Sequence, residues 1–148
     1  MGIPGSHTRD QLRKAYSDAW SKQLSGAPLT PLEAMIADVI AVHPEYHAVV
    51  RSTDAALGFE PNPADARENP FLHMGLHIAV REQISIDRPP GVRGLHRQLH
   101  ERFGDVHSAE HALMEALAET LWDSQRDGRA PDESLYLKCA RLRLRPTI

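Results

Sequence analysis

The chain has little cysteine, few aromatic residues and no long apolar run. Its one cysteine, Cys139, excludes an internal disulfide framework, a CxxC motif and a four-cysteine metal site. No stretch approaches the ~18 apolar residues that a membrane-crossing helix needs, so the sequence predicts no membrane span. A net charge of −3 with 41% hydrophobic residues is too small a charge and too much apolar material for a disordered chain. The same slightly acidic balance argues against a protein whose task is gripping nucleic acid. β signals are scarce too, because no alternating run of β-branched residues lasts beyond a few positions. What is present is histidine: nine of them, beside two Trp and three Tyr in 148 residues. That length suits one domain.

Residues 1–7, MGIPGSH, read as a remnant of expression-vector sequence or a disordered N-terminus, and His7 is set aside on that ground. The next stretch, with Arg9, Asp10, Arg13 and Lys14, is charged and amphipathic rather than a secretory signal. With a single reduced cysteine, this predicts a cytoplasmic protein. Residues 8–148 are expected to form a single helical domain.

Apolar spacing follows a 3.6-residue period almost throughout. A first helix over about 8–24 carries Leu12, Tyr16, Ala19 and Trp20 on one stripe. Thr30-Pro31-Leu32-Glu33 opens a second, with a capping threonine, a proline at the first helical position and a glutamate that completes a capping box. Its stripe is Leu32, Met35, Ile36, Val39 and Ile40. Pro44 bends the chain, and a third helix is expected to reach about Leu57. Phe59 to Glu68 reads as a loop. Asn69-Pro70 repeats the cap-then-proline pattern before a fourth helix to about Ser85. Pro89-Pro90-Gly91 marks another loop. A fifth helix spans about 95–103, Asp105 caps a long sixth, and a short helix near 132–143 follows. The expected fold is all-α, a compact single-domain bundle of about six to seven helices.

The segment from Pro70 to Val80 has no Asp, Glu, Lys or Arg, and a helix apolar on every side is a buried one. Its two polar side chains are His73 and His77, four apart and therefore about 5–6 Å apart on one face. Gly75 between them costs ~1 kcal/mol against alanine, which suggests that another helix approaches closely. A buried imidazole needs partners for both nitrogens, and a metal ion satisfies two histidines at once. The sixth helix repeats the spacing in His107-Ser108-Ala109-Glu110-His111, with Glu115 one turn further as a ligand or acceptor. His43 and His47 straddle the bend at Pro44 and are candidates to close the site.

Imidazole and carboxylate together suit Zn, Fe, Mn or Ni. The bland alternative is a polar core network, in which the histidines meet carboxylates, backbone carbonyls or water. His107 to His111 also matches the HxxEH arrangement of the inverted zinc hydrolases, over five residues only, which places Glu110 as ligand or general base. Ferritin-like di-iron proteins use Glu-x-x-His, whereas the order here is His107-x-x-Glu110. Histidine-rich bundles of the haemerythrin type are a closer chemical analogy. Glu33 is explained by its cap. His96 and His100 sit among arginines and read as a solvated face. The basic residues Arg88, Arg93, Arg97 and Arg102, and Lys138, Arg141, Arg143 and Arg145, read as solubilising charge, since no aromatic residues interleave with them. Cys139 reads as a small core residue.

The segments HPEYH (43–47), NPFLHMGLH (69–77), REQ (81–83), DRP (87–89) and the helix from Glu110-His111 to Leu121-Trp122 resemble a small bacterial family described only as a domain of unknown function. The resemblance covers about 8–142 and implies a single helical domain in a bacterial cytoplasm, with no substrate attached. The residues therefore predict a soluble metalloprotein with a redox, hydrolytic or sensory role. It would hold a transition metal (Zn, Fe or Mn) through His73, His77, His107, His111 and Glu110, with His43 or His47 closing the site. Glu110 is the candidate catalytic residue. The expected partners are the ion and a small molecule, and a homo-oligomer is compatible with the pattern. The competing expectation is a non-catalytic helical interaction module whose histidines form a core network.

Overall fold

The computed structural model describes residues 9–60 and 69–144. Residues 1–7, the greater part of the loop expected after Phe59, and Arg145 lie outside the described residues. Within them the fold is all-α: eight helices, a single 3₁₀ turn and no strand. The helices are α1 (Arg9–Ser25), α2 (Pro31–Ala41), α3 (His47–Val50), α4 (Thr53–Gly58), α5 (Pro70–Ile86), α6 (Val92–Phe103), α7 (Val106–Asp127) and α8 (Glu133–Leu142). Among the described residues, no helix is long and apolar enough to cross a membrane. The chain divides into two units, Met1–Gly75 and Leu76–Ile148, with the boundary inside α5.

In the first unit, α1 buries Tyr16, Ala19 and Trp20 and packs on α2 and α4. The capping box of α2 forms as its sequence predicts. Thr30 Oγ1 accepts from the Glu33 amide at 3.1 Å, and Glu33 Oε1 accepts from the Thr30 amide at 2.9 Å. Glu33 Oε2 also receives Lys22 Nζ at 2.6 Å, which ties α1 to α2. Of the expected α2 stripe, Ile36, Val39 and Ile40 are buried, whereas Leu32 in the first turn is exposed. The single helix expected from Pro44 to Leu57 is divided. A 3₁₀ turn over Pro44–Tyr46 leads into α3, and Ser52 then adopts extended backbone while its side chain accepts from the Ala55 amide at 3.1 Å. That new N-cap starts α4, and it is why eight helices stand where six or seven are expected.

Arg13 is buried in this unit. Its Nη1 donates to the carbonyls of Ala56 and Phe59, at 3.2 and 2.6 Å, and its guanidinium lies over the Phe71 ring, 4.5 Å from the centroid. It thereby closes the C-terminal end of α4. A Cβ placed on Gly75 would lie 3.5 Å from the Tyr16 hydroxyl oxygen, an ordinary contact. The close helix approach expected there is therefore not what keeps the glycine. Nor is the charge-free stretch buried all round, because Leu72 is 58% exposed.

In the second unit, the loop after α5 organises the start of α6. Asp87 Oδ1 accepts from the amides of Gly91 and Arg93 at 3.2 and 3.0 Å, so the helix begins at Val92, three residues before the expected start. Asp105 caps α7 through its bond from the Ser108 amide at 2.8 Å, and left-handed Gly128 ends it. Leu113 and Leu117 of α7 pack with Leu95 and Leu99 of α6 and with Tyr136, Leu137 and Ala140 of α8. Each fully buried leucine contributes about 1.5–3 kcal/mol. The Tyr136 hydroxyl donates to Gln83 Oε1, joining α8 to α5. Cys139 is half-buried against this core, as a small apolar residue is expected to be.

Candidate metal centre

Three imidazoles of the second unit come together. His77 stands on α5, while His107 and His111 stand one turn apart at the start of α7, where the Asp105 cap sets the register. Ring centroids are 5.4 Å apart for His77 and His107, 5.0 Å for His77 and His111, and 4.3 Å for His107 and His111. Each ring offers a nitrogen within 4.8 Å of the others. A tetrahedral ion with bonds of about 2.0–2.1 Å sets its nitrogens roughly 3.3 Å apart, so the rings would have to close by up to about 1.5 Å to hold one. Histidines this close together can bind a metal ion or form a polar network.

The group runs from core to surface. His77 is fully buried, His111 is half-buried and His107 is exposed. Glu110 and His111 turn inward, whereas His107 lies in the first helical turn at the edge of the core.

Glu110 is buried and projects to His77. Its Oε1 accepts from His77 Nδ1 at 2.5 Å and from Arg81 Nε at 2.9 Å. Burial opposes ionisation of this carboxyl. The hydrogen bonds from His77 and Arg81 and the guanidinium charge outweigh it, and hold the pKa below the ordinary carboxylate value. An ionised carboxylate only accepts, so His77 carries a proton on Nδ1, and in the neutral ring Nε2 is the nitrogen that a metal would use. This carboxylate–histidine arrangement is the one that orients metal-ligating imidazoles. Glu110 thus stands behind a candidate ligand.

Beside His107 and His111 lies a cleft of about 240 Å³, also lined by Phe103, Ser108, Ala112, Glu115 and Arg143. Glu115, expected as a further ligand or acceptor, accepts from Arg143 Nε at 3.2 Å. Arg143 reaches it from just beyond α8, a contact that no spacing within α7 could reveal.

The remaining sequence-expected ligands belong to the first unit. His43 is buried, and its Nδ1 lies 2.7 Å from the Val39 carbonyl, to which it donates. Its ring stacks on Tyr46 at 5.4 Å and meets the His73 ring edge-on at 5.1 Å. His47 Nε2 donates to the Ile40 carbonyl at 2.9 Å, with the ring 4.5 Å from that of Trp20.

His96 differs from its expected place on a solvated face. It is half-buried on α6, and its Nε2 is buried with no hydrogen-bond partner among the described residues. Burial pushes its pKa down, against the opposing pull of the Glu110 charge. His100 is exposed, as expected. The exposed Arg88, Arg93, Arg97 and Arg102 fit solubilising charge.

A family model described as "Domain of unknown function (DUF1841)" matches residues 8–142. The chain belongs to this family. No curated protein and no solved structure matches it. As a DUF1841 member it gains no substrate from the family's description, so the chemistry has to be argued from its own histidines.

Proposed function

We propose that the second unit holds one divalent transition-metal ion, Zn, Fe or Mn, through His77, His107 and His111. The observation that carries this reading is the His77–Glu110 bond, because a buried imidazole fixed in the Nδ1–H tautomer beside two further imidazoles is arranged as a ligand set. Three neutral nitrogen ligands leave at least one coordination position for water or a small molecule, the pattern of catalytic rather than closed structural sites. When bound, such an ion supplies Lewis acidity or, for iron and manganese, a redox couple. Glu110 acts through His77, orienting the ring and strengthening it as a donor. His43, His47 and His73, expected from the sequence as further ligands, are judged by the same measurement on their single alanine variants.

Elemental analysis of protein purified without a polyhistidine tag or a nickel column tests this. Near-stoichiometric metal that is lost in His111→Ala supports it, and its absence after growth in metal-supplemented medium opposes it. A second reading has its own observation. Glu110, His77 and Arg81 already satisfy one another, as members of a purely structural network do. On that reading, chelator leaves the melting temperature unchanged and no ion binds.

A further inference from the structure

The cleft beside His107 and His111, at about 240 Å³, has room for a small molecule. The Glu110 charge is matched locally by Arg81, and Glu115 and Glu119 together exceed the Arg143 that they hold by one carboxylate, so neutral imidazoles around a divalent ion leave a single net positive charge for a ligand to balance. Arg143 adds a guanidinium whose side chain is 22% exposed, held by Glu115 at 3.2 Å, Glu119 at 3.0 Å and the Cys139 carbonyl at 3.0 Å. Both carboxylate partners are well exposed, so water screens each pair on its carboxylate side. The start of α7 is not the recognising element, because Asp105 already accepts from the Ser108 amide and hydroxyl. Phe103 and Ala112 also line the cleft and add apolar surface to it.

We propose that this cleft takes a small monocarboxylate with an apolar body. Its carboxylate occupies the open position of the ion within reach of Arg143, and its body lies against Phe103 and Ala112. The inference rests on the metal reading above, and the two fail differently.

The test uses the full chain loaded with Co(II), whose visible absorption reports changes in its ligands. Titration with benzoate is expected to shift the spectrum saturably, while the uncharged isostere benzamide leaves it unchanged. Arg143→Gln is expected to weaken benzoate about tenfold, with cobalt affinity unaltered. Phe103→Ala is expected to weaken benzoate but not acetate. A cobalt spectrum that ignores benzoate, or responds equally to benzamide, overturns the proposal and leaves the metal reading standing. Failure to develop a cobalt spectrum overturns both. Since Arg143 also ties α7 to α8, the benzoate–benzamide comparison on the unaltered protein decides the matter even if Arg143→Gln does not fold.

Discussion

His77 on α5 donates through Nδ1 to Oε1 of Glu110 on α7, and Arg81 Nε reaches the same oxygen from one helical turn further along α5. One buried carboxylate thus holds the Nδ1–H of a fully buried histidine. Glu110→Ala removes the acceptor and leaves a buried N–H without it. The expected loss of stability is about 1–3 kcal/mol, read by urea unfolding of the metal-free protein. Metal affinity is expected to fall about 10–100-fold, read by chelator competition. An unaltered affinity would show that Glu110 has no orienting role.

Arg13 donates to the carbonyls of Ala56 and Phe59 from a buried position under the Phe71 ring. Arg13→Leu keeps most of the apolar packing but leaves those carbonyls short of a donor. A loss of about 2–3 kcal/mol in chemical unfolding is expected, because hydrogen bonds from a charged donor are among the stronger ones. A change below experimental error would mean that water replaces the guanidinium at no cost.

At Gly75 a methyl group would meet only an ordinary contact with Tyr16, so the intrinsic helix preference decides the outcome. Gly75→Ala is expected to raise stability by up to about 1 kcal/mol. A lowered melting temperature would reveal a close approach at this position after all.

The Lys22 hydrogen bond, followed by the Thr30 amide, holds the Glu33 carboxyl below its ordinary value of 4.5. A depressed carboxylate pKa contributes stability that is fully present above the ordinary value and lost as pH falls through the lower, folded one. Melting temperature is therefore expected to decline less steeply below pH 4.5 in Glu33→Gln than in the unaltered protein. Parallel acid limbs for the two proteins would contradict this.

How much could be read from the sequence follows from how local each signal is. Thr30 and Glu33 lie three residues apart and settle their bonds between themselves, so the α2 start was legible. The division of α3 from α4 was less so, because Ser52 had to be recognised as a cap in the middle of a plausible helical period. His107 and His111 were legible as a pair through their spacing. That His77 joins them depends on how α5 packs against α7, which periodicity does not encode. Arg13 and His96 were missed for the same reason, since a charged or polar residue on a mixed stripe gives no sign that its neighbours will enclose it. The choice of Arg143 as the partner of Glu115 was equally invisible, being made across two helices.

Calorimetric titration of Zn²⁺ into chelator-treated full-length protein tests the three-imidazole centre most directly. The account predicts saturable binding of one ion per chain in the unaltered protein. It predicts loss of that binding in the His107→Ala, His111→Ala double variant, whose far-ultraviolet circular dichroism stays helical. An absence of binding heat at neutral pH in several buffers, or the same isotherm for the double variant, would contradict it.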